Sequence, residues 1–141
     1  MGKRNTNRNW LVKSEPSAYS FEQFLKDKST AWTGVRNYQA RNFLREMKKG
    51  DMVLYYHSNE DREIIGIAKV AREFYPDPTA TSGDWVCVDL VPLKKMKKPI
   101  ALKQLKSEPG LDNLLLIKQS RLSVMPITDV EFEIITQLGN S

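Results

Sequence analysis

The stretch Met52-Val53-Leu54-Tyr55-Tyr56-His57, broken by Ser58-Asn59-Glu60-Asp61 and resumed as Glu63-Ile64-Ile65-Gly66-Ile67-Ala68-Lys69-Val70, decides the fold class. Aromatic and β-branched residues crowd both runs, and the polar tetrapeptide between them has the composition of a turn. The pattern predicts two strands, the second continuing to Tyr75. A third is predicted from Trp85 to Leu93, where Val86, Val88 and Leu90 alternate with Cys87 and Asp89 as in a half-buried strand. Pro76-Asp77-Pro78 and Ser82-Gly83-Asp84 separate the last two.

Before this stretch the period is helical. Ala40, Phe43, Leu44 and Met47 recur at i, i+3, i+4, i+7 and predict a helix over 38–49, stopped by Gly50. Asn37, Arg41, Arg45 and Lys48 form a polar, basic stripe on another face. Ser20 with Gln23 has the spacing of a capping box, and Tyr19 with Phe24 that of a hydrophobic staple, opening a short helix over 21–27. Trp10-Leu11-Val12-Lys13 reads as a first strand. After the strands, Lys94-Lys95-Met96-Lys97-Lys98 reads as a basic turn and 102–106 as a short helix ended by Pro109-Gly110. Thr128 with Glu131 caps a last helix, stapled by Ile127 and Phe132, with Val130, Ile134, Ile135 and Leu138 as its apolar face. Antiparallel strands flanked by helices predict an α+β fold around a small barrel or strongly curved sheet. Residues 1–9 read as a flexible basic tail and 10–141 as a single domain.

Composition removes several functional classes. A chain of 141 residues that is 40% hydrophobic is not a disordered one. One cysteine excludes an intrachain disulfide, and one histidine excludes paired-histidine zinc motifs. No apolar run approaches the ~18 residues of a membrane span, and no apolar core follows the basic N-terminus as in a signal peptide. The expected location is cytoplasmic for a bacterial protein, nuclear for a eukaryotic one. No phosphate loop, GxGxxG or DxDxDG spacing occurs, so no metal or cofactor is expected, nor an obligate protein partner. The net charge of +5 permits an anionic partner. Three of those charges lie on Lys3, Arg4 and Arg8, which leaves the rest of the chain close to neutral.

The candidate chemistry concentrates in Ala31-Trp32-Thr33-Gly34-Val35-Arg36-Asn37-Tyr38-Gln39-Ala40-Arg41-Asn42. Trp32 and Tyr38 offer flat stacking surfaces, and the guanidinium and amide groups bond phosphates or base edges. The competing reading is a capped loop entering a helix, with Asn37 as N-cap and Tyr38 in the core. Ser14 and Glu15 follow the first strand, where they line a pocket mouth or simply turn the chain at Pro16. Tyr75-Pro76-Asp77-Pro78 is a rigid loop, and Arg121 lies between hydroxyl-bearing Ser120 and Ser123. His57 ends a strand, and a lone histidine is more often structural than catalytic.

Five segments together resemble the EVE domain. They are Trp10 to Pro16; Trp32 to Asn42; Lys49-Gly50-Asp51 leading into Tyr56-His57-Ser58; Gly66-Ile67-Ala68 with Phe74 to Thr79; and Gln119 to Val124. The resemblance implies a PUA-like fold, a small mixed β-barrel with flanking helices, and kinship with the YTH and SRA readers of modified bases. It implies a non-catalytic nucleic-acid-binding module, not an enzyme, that captures a modified base of DNA or RNA. Its pocket would be drawn from Ser14, Glu15, Trp32, Val35, Asn37, Tyr38, Tyr75, Arg121 and Ser123. Arg36, Arg41, Arg45 and Lys48 would contact phosphates. The alternative is a small enzyme or small-molecule binder, with His57, Glu15 or Arg121 acting on a nucleotide-like ligand.

Overall fold

The computed structural model describes residues 8–140. Met52–His57 and Glu63–Pro76 pair as an antiparallel hairpin, as the sequence predicts. In chain order the elements are β1 (Asn9–Ser14), α1 (Phe21–Asp27), β2 (Thr30–Ala31), α2 (Tyr38–Glu46), β3 (Met52–His57), β4 (Glu63–Pro76), β5 (Val86–Ala101), α3 (Leu102–Ser107), α4 (Leu115–Lys118), β6 (Val124–Ile127) and α5 (Asp129–Asn140). The six strands form one sheet in the order β2-β5-β4-β3-β1-β6. β1 runs parallel to β3, and every other pair is antiparallel. A parallel pair needs a long crossover, and α1, β2 and α2 supply it. The α+β class with flanking helices is therefore as expected. The closed barrel is not formed as a continuous ladder, because β2 and β6 end the strand order.

The core is aromatic on one side. The Tyr55 ring meets Phe21 at 5.2 Å, Phe24 at 5.6 Å and Trp32 at 5.5 Å between centroids. Gly66 lies opposite Tyr55 in the ladder, and the Phe21 ring occupies the place where a Cβ on Gly66 would stand. Only a residue without a side chain lets α1 sit this close to β4.

Four boundaries differ from the sequence reading. The predicted tail loses Asn9, which is buried, begins β1 and donates from Nδ2 to Asp129 at 2.7 Å; residues 1–7 lie outside the described residues. α2 ends at Glu46 and not at Lys49, because the chain turns extended at Met47 and buried Asp51 captures it. The Asp51 carboxylate accepts the Lys48 N–H at 2.9 Å and Trp10 Nε1–H at 3.0 Å. Lys94–Lys98 is no turn: it lies inside the sixteen-residue β5. There Met96 and Ile100 point inward while the lysines stay exposed, so the inward signal is too sparse to read as alternation. In α5, Val130 is 66% exposed while Glu131 is buried, which removes Val130 from the apolar face. Glu131 is held by its capping role, accepting the Thr128 N–H at 2.9 Å. β2, α4 and β6 are additions that the sequence reading did not place. Among the described residues no helix is long and apolar enough to cross a membrane.

Candidate functional site

A cavity of about 450 Å³ opens where β1 ends, lined by Lys13, Ser14, Tyr19, the segment Thr30 to Asn37, and Ser123. That volume lies in the range of small-ligand pockets, roughly 300–1,000 Å³. Thr30 and Ala31 belong to one end of the strand order, and Ser123 immediately precedes β6 at the other. The sheet therefore curls until its two edges face each other across the cavity. The gap in the ladder is the pocket.

A buried carboxylate shapes the rim. Asp77 Oδ2 accepts the Gly34 N–H at 2.8 Å and the Arg36 guanidinium at 3.1 Å. Its Oδ1 accepts the Thr79 N–H at 2.7 Å and the Thr79 hydroxyl at 2.6 Å. Arg36 also donates to Thr79 Oγ1 at 3.1 Å and to the Val35 carbonyl at 3.0 Å. Burial alone would raise the Asp77 pKa, but the bonds from Thr79, the Gly34 N–H and Arg36 outweigh it and hold it at about 2. Gly34 carries φ +85°, a backbone that other L-residues rarely adopt, so the rim turns sharply where Asp77 grips it.

The walls are built from local caps and rings. Half-buried Trp32 is held by its backbone N–H, which donates to the Val88 carbonyl at 2.7 Å, and by edge contacts of its ring with Tyr55 and Tyr19. Among the described residues no ring stacks flat on it. The Ser14 hydroxyl donates to the Tyr19 carbonyl at 2.9 Å, and the Tyr55 hydroxyl reaches that same carbonyl at 2.6 Å. Asn37 caps α2, its Oδ1 accepting the Ala40 N–H at 2.9 Å, which leaves its amide nitrogen as the group to meet a ligand. Lys13 donates to the Ser120 carbonyl at 2.7 Å, and burial lowers its pKa.

The structure gathers Ser14, Trp32, Val35, Asn37 and Ser123 at this cavity, with Arg36 beside them. It places the other predicted pocket residues elsewhere. Glu15 is exposed, its carbonyl serving the turn that follows. Tyr38 is 66% exposed and stacks on Trp85 at 5.0 Å, under the Arg41 guanidinium. Tyr75 bonds Asp89 through its hydroxyl and lies beneath Arg72. Arg121 lines an adjoining hollow that meets the cavity at Asn37. Of the predicted phosphate contacts, Arg41 and Arg45 both bond Asp84, at 2.7 and 3.0 Å, while Lys48 is exposed. His57 is buried away from the cavity, its Nε2 accepting the Phe21 N–H at 3.0 Å and its Nδ1 facing Asp61 at 3.1 Å. Lys13, Tyr19, Thr30 and Thr33 also line the cavity without having been singled out as pocket residues. For Lys13 the signal was present, because it adjoins Ser14 on a strand end.

The EVE domain matches residues 8–138. Human thymocyte nuclear protein 1 is 35% identical, over 96% of this chain and 75% of that protein. The NMR structure of Rpa0253 from Rhodopseudomonas palustris is similar with a TM-score of 0.89 and 48% identity, covering 94% of this chain and 92% of that one. The crystal structure of human THYN1 protein in complex with 5-methylcytosine-containing DNA aligns with a TM-score of 0.86 and 36% identity, over 94% and 98% of the two chains. The five segments that carried the resemblance fall within the matched residues, and this chain belongs to the EVE domain family.

Proposed function

We propose that this chain is a non-catalytic reader of a modified nucleobase, with cytosine methylated at carbon 5 in DNA as its first candidate. The observation that carries the reading is the cavity at the sheet seam, with Trp32 as its flat wall. Its relative's complex with 5-methylcytosine-containing DNA supports the ligand class. The base leaves its stack and enters beside Trp32, where stacking returns about 1–3 kcal/mol of the unstacking cost. The Asn37 amide and the Ser14 hydroxyl stand at the base edge. A contact to one methyl group separates modified from unmodified base by roughly 10–200-fold at most, so the preference is graded.

A binding role also accounts for the polar groups at the wall. Lys13, Tyr19 and Arg36 are each engaged with a protein acceptor. Glu15 and His57, the titratable groups of the enzyme alternative, do not line the cavity. The test is titration of a short duplex carrying one 5-methylcytosine against its unmodified twin, read by tryptophan fluorescence and by mobility shift. The methylated duplex binds more tightly, and Trp32→Ala removes roughly 5- to 150-fold of its affinity. Equal binding of both duplexes by the wild type would overturn the reading.

A further inference from the structure

A second cavity, of about 390 Å³, lies behind Lys13, with Ser58, Asn59, Arg62, Lys106 and Ser120 among its walls. Lys13 lines both cavities, so the two are separated by one side chain. Three of the second cavity's lining residues are cationic and none is acidic. Among the described residues, Lys13, Arg62 and Lys106 form no ion pair. Arg36, Arg41 and Arg45 differ, since each is ion-paired, Arg36 with Asp77 and the other two with a shared Asp84. Of the two carboxylates that flank Arg62 in the chain, Asp61 faces His57 and shares an adjoining hollow with Arg62 and Lys106, and Glu63 begins β4; neither lines this cavity.

The backbone fixes the turn that carries Arg62. Asn59 and Arg62 both have positive φ, at 71° and 51°, a strained conformation for a side chain as large as arginine. The Arg62 carbonyl is pinned by the Leu102 N–H at 2.8 Å, which ties the β3–β4 turn to the start of α3. Lys106 closes the same wall from the last turn of α3. Three cations around one cavity whose own lining holds no acid repel one another, and an anion with several acceptor oxygens relieves that repulsion.

We propose that this cavity takes a backbone phosphate of the nucleic-acid strand whose base occupies the neighbouring pocket. This rests on the base-reading function above and adds the strand's path, along β1 past Lys13 toward α3, away from the Asp84-paired arginines. The phosphate contact is blind to sequence and to modification.

The test compares wild type with Arg62→Gln/Lys106→Gln on methylated and unmethylated duplexes from 50 to 300 mM salt. The variant weakens both duplexes alike, keeps their affinity ratio, and flattens the slope of log Kd against log salt by about 0.9. The charge-conserving Arg62→Lys/Lys106→Arg restores the slope, which separates charge from misfolding. An unchanged slope, with the methyl preference intact, overturns the phosphate site and leaves the base reading standing. A flattened slope in a protein that never distinguishes the duplexes supports the phosphate site and removes the base reading. Titration with inorganic phosphate distinguishes a free-anion site: saturation by phosphate with an unchanged oligonucleotide slope also overturns the strand path.

Discussion

Asp77 joins parts of the chain more than forty residues apart, and replacing it by Ala leaves the Gly34 N–H, the Thr79 N–H and Arg36 without their acceptor. Unfolding in urea should then show a loss of about 1–3 kcal/mol, since buried donors lose their partner. The folded-state pKa, at about 2, lies below the ordinary ~3.9 of an unfolded aspartate. Its stabilisation, on the order of 2 kcal/mol, is complete above pH ~4 and disappears as pH falls through 2. The stability gap between wild type and Asp77→Ala therefore narrows across that window. His57→Ala is a second test at this scale. It strands the first N–H of α1 in the core and should cost roughly 1–3 kcal/mol, with little effect on DNA affinity at temperatures where the variant stays folded. Trp32, Ser14 and Asn37 were named for the pocket by the family resemblance; the residues alone left Ser14 open between a turn and a pocket mouth and Asn37 between cap and contact, and Asn37 both caps α2 and lines the cavity. Asp77 was not legible as the rim's anchor, because its partners Gly34 and Arg36 come from another part of the chain.

At the scale of elements, the α2 face that the sequence assigns to phosphates is closed on itself. Arg41 and Arg45, one turn apart, converge on Asp84 in the loop before β5. Asp84→Ala should change stability by no more than about 1 kcal/mol, as exposed ion pairs do. Because the strand path proposed above runs away from these arginines, oligonucleotide affinity and the salt slope should stay nearly unchanged. A steeper slope would show that the freed guanidinium groups meet the strand. Helix starts were readable from sequence because caps are local: Thr128 and Glu131 exchange both predicted bonds, and the Ser20 hydroxyl accepts the Gln23 N–H. The other half of the Ser20 box is absent, since the Gln23 amide turns to Asp27. The end of α2 and the far half of β5 were not readable. Asp51 stops α2 through Trp10, and Met96 faces α5 so closely that a Cβ on Gly139 would collide with its sulfur. Both controls act across the sheet.

For the whole molecule, charge and topology have separate roles. Deleting residues 2–7 removes Lys3 and Arg4 while sparing β1, which starts at Asn9. The shortened protein should bind methylated and unmethylated duplexes more weakly by the same factor, as a salt titration of both will show. The fold class was readable because strand and helix periods alternate along the chain. The closure was not, since only folding brings β2 and Ser123 to one cavity. That arrangement also orders events in time. Among the described strands β1 is synthesised first, yet it lies between β3 and β6, and β6 is made last. A chain emerging from the ribosome thus carries an incompletely paired strand until Val124–Ile127 has been made, and contacts this distant in sequence form late. A product truncated before Ser123 has no complete pocket with which to compete for the ligand.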